Sequence, residues 1–470
     1  MESNHKPSAA ETATGIATND DIHSSPAGMS KQARYIQLLL LVIAGGAIYP
    51  MLYMRQIYQT TMLDAFQITN GQLGELYSMM GLLFFLSYGP SGWLADKMKP
   101  MLLIVVSLFA TGLLGLWYST LPSFSALLII FGGWGISTGL TFWGAVMKRI
   151  KVLSGENESG RFYGIYDGGR GLIEALLASI ALYIFSVVAG ANDENVVGAL
   201  VYVIYMYSWL CIALGVISLI TFLFEKKEPE SAADAQKYAQ KNKSDNLLGD
   251  IIAILKLPEV WLIALIISAG YHLFWSTYSF SAYLQEGNWG FTAVMAGTIT
   301  TIKLWLRPIG GIGGGFLGDR YSNVRVLNYA LVGSALGLLG LICVPMFGFG
   351  GGVTVGLCIF FILFVGLLTY AIRGLYWAII EHLDVPEKKL GLAIGIISVL
   401  GYCPDIFIPL INGYIMDAAD NHQQGYQLYF GYTIAMTVVG IAACYALQAR
   451  ANKRQSQNNA PTIDVTEATS

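Results

Sequence analysis

Apolar runs of about twenty residues, separated by short polar breaks, recur from residue 35 to residue 448. A bilayer core is ~30 Å thick and is crossed by about 20 helical residues, so each run predicts one membrane span. The runs fall at 35–55, 73–95, 101–120, 124–147, 161–189 and 197–224, then at 259–284, 291–317, 325–347, 352–380, 390–416 and 427–448. The pattern predicts an all-α integral membrane protein with twelve transmembrane helices in two six-helix repeats. A charged stretch at 225–250, with lysines at 226, 227, 237, 241 and 243, separates a bundle at 33–224 from one at 251–450. Before the seventh span, the amphipathic piece Leu247–Leu257 is expected to lie on the membrane surface. The polar ends, 1–32 and 451–470, are expected to be disordered tails. Residues 1–31 lack the apolar core of a cleavable leader, so the run starting near Tyr35 reads as a retained signal anchor.

Composition excludes the soluble alternatives. Charged residues make up 12% of the 470, against about 25% in soluble domains, and mean hydropathy is +0.56. Too few charges remain to coat soluble domains, and a net charge of -3 gives no nucleic-acid footprint. The five cysteines (211, 343, 358, 403, 444) sit inside apolar runs without metal or redox spacing. Of 27 Lys and Arg, 22 fall on one side of the twelve-span arrangement, in the tails, the middle stretch and the even-numbered breaks. Loops at 119–124, 189–196, 285–291, 346–352 and 417–426 carry none. The positive-inside rule therefore places both termini in the cytoplasm.

The chain also repeats itself. Gly92-Trp-Leu-Ala-Asp96-Lys97 ends span two, and Gly315-Phe-Leu-Gly-Asp319-Arg320 ends span eight. Phe142-Trp143 in span four is echoed by Tyr376-Trp377 in span ten, and Gly164, Asp167, Arg170 and Glu174 match Gly395, Ser398, Gly401 and Asp405. Duplication of a six-helix unit is a transporter architecture. On these residues the sequence resembles the major facilitator superfamily over about 35–450. The paired Gly-x-x-x-Asp segments look like that family's loop motif, which continues differently here, with Lys99-Pro100 and Ser322-Asn323. The resemblance implies gating roles for Asp96, Lys97, Asp319 and Arg320, with Asp96 latching the halves together in the outward-facing state; otherwise these charges only mark the membrane boundary. It also implies that spans three, six, nine and twelve face lipid. Arg55 is similar to the first-span arginine of bacterial organophosphate exchangers, but their span-seven arginine has no counterpart in Gly270-Tyr-His272-Leu-Phe-Trp275.

Ionisable residues inside a membrane are costly and mark function by default. Here they are Arg55, Asp167, Arg170, Glu174, Lys303, Arg307, Arg373 and Asp405, and none lies on a span expected to face lipid. At ~1.5 Å per residue, Arg170 lies ~14 Å from the cytoplasmic end of span five, Arg373 ~16 Å from the cytoplasmic Asp384 and Lys303 ~18 Å from the outer end of span eight, all close to the midplane. Asp167, Arg170 and Glu174 share one helix face, so Arg170 can pair with either acid, and an inert internal ion pair is the plain alternative. Lys303 and Arg307 are like charges at i, i+4, with a gating contact expected for Arg307. Five cations against three acids leave an excess that an anionic solute would balance through arginine forks. Arg55, Arg170, Lys303, Arg373, His272 and Trp377 are therefore the substrate-binding candidates. Glu174, Asp405 and Asp167 are the proton-coupling candidates, since a carboxyl withdrawn from water holds its proton more readily; each otherwise only balances a cation. His272 reads equally as a hydrogen-bonded core residue. The glycines of Arg307–Gly315 fit small-residue helix packing and not a nucleotide loop. Asn157-Glu-Ser is a glycosylation match on the wrong side.

No motif for an enzyme, metal or cofactor appears. The expectation is a monomeric secondary transporter in the lipid bilayer, moving a small organic anion by alternating access, as a proton symporter. The alternatives are a carrier of a neutral or zwitterionic solute and a transport-inactive nutrient sensor.

Overall fold

The computed structural model describes residues 29–458 apart from 155–157, 191–192, 225–246, 288, 348 and 384. The first 28 residues, most of the charged linker, Asn157 and the end of the C-terminal tail lie outside the described residues. Among the described residues, ten helical segments are long and apolar enough to cross a membrane. The other two, span two (Asn70–Lys97) and span eight (Ala293–Tyr321), are 28 and 29 residues long. They carry the repeated Gly-x-x-x-Asp segments, and their extra glycines and charges lower their hydropathy without shortening them. The twelve-helix fold is as expected.

Several spans are discontinuous, and the breaks have local causes. Span one runs Lys31–Leu52, gives out at Tyr53–Met54, then continues as Arg55–Phe66, beyond the expected end at 55. Pro50 has already removed one ladder hydrogen bond just before the break. Span four (Phe124–Ser154) contains a π-helical stretch, Ser137–Trp143, a distortion frequent at functional sites. Span five is Ser159–Ala189 and span six Val196–Phe224. Span seven (Pro258–Glu286) tightens to a 3-10 turn at Thr277–Ser279. The α-helix of span ten stops at Leu375, short of the expected 380, which leaves Trp377 in a turn. Span eleven is Glu387–Tyr402 and Pro404–Ala418, with Pro404 at the first position of the second piece, where its missing N–H costs nothing.

The boundaries of both tails differ from expectation as well. The last helix, His422–Asn458, continues past the tail boundary at 451. Arg450 and Arg454 both reach buried Glu259 at the start of span seven, at 2.7 and 2.9 Å, and hold that extension down. At the other end the first helix already begins at Lys31, where the Ser30 hydroxyl accepts from the Ala33 N–H. The surface helix Leu247–Leu255 is tied to span eleven by Asp250–Lys389 at 2.6 Å.

The two bundles meet through span two against span eleven and span five against span eight. The meeting is one-sided. At the end away from the termini, Gly74 and Gly81 of span two lie against the backbone of Pro409 and Asp405, and Gly413 lies against Asn70. A continuous apolar core crosses between the bundles there, from Met51, Tyr77 and Met80 to Trp275, Tyr278 and Ile408. At the end bearing the termini the N-terminal bundle has a separate core of Leu41, Ile104, Phe142 and Phe162. There Leu86, Tyr88 and Trp93 of span two and Phe316 of span eight are exposed, and a side chain added at Gly92, Gly164, Gly315 or Gly395 would meet only open space. The molecule is closed at one end and parted at the other. A methyl group at Gly81 must push against backbone, so Gly81→Ala is expected to prop the closed end apart. Cysteine accessibility of residues in that seam should rise, and an unchanged accessibility would rule the wedge out.

Candidate functional site

The parted end leads to a belt of aromatic and charged side chains at mid-span. Arg373 stands on span ten, brought beside span eight because Gly310 and Gly314 allow that helix to rest on Leu367 and Ala371. Its guanidinium carbon lies 4.0 Å from the ring centre of Phe274, a cation–π contact. No hydrogen bond and no acid within 4.0 Å engages it among the described residues. Tyr271, Tyr278, Tyr376 and Tyr402 surround it within electrostatic reach. The Tyr402 hydroxyl meets that of Tyr376 at 3.1 Å and accepts from Trp377 Nε1 at 3.0 Å. The guanidinium of Arg373 thus stands among rings, three of which, Tyr376, Trp377 and Tyr402, are bonded to one another.

Asp405 lies next to this wall, in the first turn of the second piece of span eleven, where a helix N-terminus favours a carboxylate. Trp275 Nε1 donates to one oxygen at 2.7 Å and the Tyr271 hydroxyl to the other at 3.1 Å. Both donors are neutral, and no cation stands within 4.0 Å among the described residues.

Four of the other intramembrane charges pair off. Arg170 bonds Asp167 at 3.0 Å rather than Glu174, and its guanidinium lies 5.8 Å from the Trp143 ring presented by the π-helical stretch. Glu174 pairs across the two bundles with Arg307, which answers the like-charge problem of Lys303 and Arg307. Lys303 is wholly buried; its stem lies over Gly366 and its Nζ donates to the Thr277 carbonyl at 3.1 Å. Of the five span cations, Arg55, Lys303 and Arg373 have no acid within 4.0 Å among the described residues, and Asp405 is the acid left over.

The structure does not bring every candidate to this belt. Arg55 lies in the closed end, where it donates to Gln59 at 3.0 Å and to Asn412 of span eleven. His272 faces span twelve: its Nδ1 lies 2.7 Å from the Ser268 carbonyl, so that nitrogen carries the proton, and Nε2 accepts from the Tyr432 hydroxyl at 2.9 Å. Asp96 pairs within its own bundle with Lys148 at 3.1 Å. Lys97, Asp319 and Arg320 are exposed at the parted end, with Arg320 stacked on Tyr321.

Sequence reasoning missed the clasps of the closed end. Asp417, at the end of span eleven, accepts from the first N–H groups of span two, Asn70 at 3.1 Å and Gly71 at 2.7 Å. Asp193, after span five, accepts from the first N–H of span eight, Ala293, at 2.5 Å. Each capped helix also has its own threonine cap, Thr69 and Thr292. The two clasps are equivalent under the internal repeat, and each satisfies orphan donors of the opposite bundle. The capping pattern Thr69-Asn70-Gly71-Gln72 was visible in sequence; its distant partner was not.

Two matching six-helix bundles, joined at one end around a polar mid-membrane belt, are the architecture of secondary transport proteins. The chain belongs to the Major Facilitator Superfamily, whose sequence profile matches residues 36–402. That is a family of transporters and not of enzymes. The inner membrane protein YqcE of Escherichia coli (strain K12) is 30% identical over 387 residues, covering 82% of this chain and 88% of the relative. The inner membrane protein YihN of the same organism is 26% identical over 436 residues, covering 91% and 99%. The fold matches a bacterial homologue of the human lysosomal transporter Spinster in its inward-facing and occupied conformation, with a TM-score of 0.68 at 15% identity over 90% of this chain and 98% of that one.

Proposed function

We propose that this protein moves a small organic anion across a bacterial inner membrane by alternating access, coupled to protons. The observation that carries the reading is Arg373: a guanidinium at mid-span, stacked on Phe274, with no acid and no hydrogen bond to occupy it among the described residues. Two internal ion pairs take up Arg170 and Arg307, so the remaining field is positive. A neutral cargo would leave that field uncompensated. A carboxylate, phosphate or sulfonate would accept the bidentate fork of Arg373, while Tyr376, Trp377 and Tyr402 supply ring faces and the one hydroxyl proton their mutual bonds leave free. Lys303 adds to the same field, and Arg170 stands across the vestibule as its second wall.

Asp405 is the proton site in this reading. Asp167 and Glu174 each hold an arginine, whereas protonating Asp405 breaks no ion pair. The basic loops mark the parted end as cytoplasmic, with both termini there, so the conformation is inward-facing. Asp96, Lys97, Asp319 and Arg320 are then the open latch of the cytoplasmic gate, and Arg55 and Asn412 part of the closed outer one. One chain builds the whole vestibule, which supports a monomer.

Proteoliposomes test the reading. An organic anion accumulates when an inward proton gradient is imposed, and Asp405→Asn abolishes accumulation while leaving anion counterflow in place. Accumulation that survives Asp405→Asn removes this carboxyl from the coupling. Purified protein that binds the anion but moves none under any gradient favours a sensor.

A further inference from the structure

The break in span one encloses a small cavity, walled by Pro50, Gln56 and Tyr58 of that span, Glu174 of span five and Tyr207 of span six. Its volume is about 20 Å³, which admits one water molecule and no larger solute. Gln56 and Tyr58 are 6% and 2% exposed. Gln56 Nε2 and the Tyr58 hydroxyl are buried without a hydrogen-bond partner among the described residues, although buried polar groups in native proteins almost always have one. Tyr207 lies within electrostatic reach of both Tyr58 and Glu174. One oxygen of Glu174 is held by Arg307. Residues that carry two hydroxyls, an amide and a carboxylate thus line a space of one molecule's size.

We propose that this elbow is a binding site for a single structural water. The water accepts from Gln56, donates to Glu174, and completes its shell with the hydroxyls of Tyr58 and Tyr207. A metal cation of similar size is excluded by charge. Glu174 is faced by Arg170 from its own span and by Lys303 and Arg307 from span eight, while Tyr207, Tyr278 and Tyr370 from spans six, seven and ten bring no negative charge. Three cations around one carboxylate repel a fourth; a neutral dipole fits. The consequence is mechanical. The water ties the segment Arg55–Phe66, whose Arg55 and Gln59 lie in the closed end, to span five at the point where the helix ladder is interrupted. The inference rests on the fold alone and stands whatever the transported solute is.

The sign of a stability change tests it in the purified full-length protein. With water bound, Tyr58→Phe and Gln56→Leu each lower Tm by about 2 °C. The double variant loses less than the sum, because both changes release the same water. A dry cavity gives the opposite sign for Tyr58→Phe, which then deletes a buried hydroxyl that had no partner, and a raised Tm overturns the proposal. Should either variant fail to fold, a cryo-EM map of the unaltered protein decides. A density peak within hydrogen-bond distance of Gln56, Tyr58 and Glu174 supports the site, and an empty cavity in a map that shows other ordered waters overturns it.

Discussion

Arg373→Lys is expected to weaken binding of an organic anion by about 100-fold, which corresponds to about 2.7 kcal/mol. The charge survives this change, so the loss must come from geometry. Lysine presents a point charge where arginine offers a planar fork to two oxygens at once. It also loses the flat stack on Phe274, whose ring lies 4.0 Å from the guanidinium carbon. Phe274→Leu should cost only a few-fold, the scale of one cation–π contact. Thermal shift of the purified variants against a panel of organic acids, sugar acids, sugar phosphates and sulfonates reads both effects, since a ligand bound only by the native state raises its stability. Near-normal affinity of Arg373→Lys would show that the fork does not hold the anion. Arg170 already engages Asp167, so Arg170→Lys should weaken binding less than Arg373→Lys does.

Asp193→Ala combined with Asp417→Ala should release the closed end. Each carboxylate caps the first turn of a helix in the opposite bundle, and losing a cap costs about 1 kcal/mol. The two clasps sit on different helix pairs, so their effects should add to about 2 kcal/mol, a shift of about 30-fold in the ratio of the two conformations. Spin-pair distances across the tips of spans two and eleven measure that ratio directly. Asp→Asn at both positions separates the terms: an asparagine oxygen still caps, and only the attraction of a charge for the helix end is lost. A distance distribution unchanged by the double alanine variant would remove the clasps from the gating equilibrium.

The span count was legible because hydropathy reports burial in lipid directly, and the repeat was legible because both copies keep Gly-x-x-x-Asp at the same helix end. What escaped was everything set by contacts between the bundles. Span one was expected to end at 55 because Arg55, Gln56 and Gln59 interrupt its apolar run; in the fold these polar groups face span eleven, Asn70 and a cavity rather than solvent. Spacing placed Arg170 within reach of two acids and offered no means of choosing. The choice falls to Asp167 because Glu174 is engaged by Arg307, 133 residues away in sequence. The clasp acids Asp193 and Asp417 occupy polar breaks where an aspartate carries no signal of its own. Arg373 and Asp405 stood out as charges in apolar runs, but that their partners are rings and neutral donors required the three-dimensional arrangement.

The central claim is that the vestibule recognises negative charge, and matched ligands test it most directly. Binding of a carboxylic acid and of its uncharged amide to the purified protein should differ by at least tenfold in favour of the acid, with the preference reduced in Arg373→Lys and lost in the uncharged Arg373→Gln. Equal affinity for the two members of such a pair, or a preference for the amide, would contradict the account.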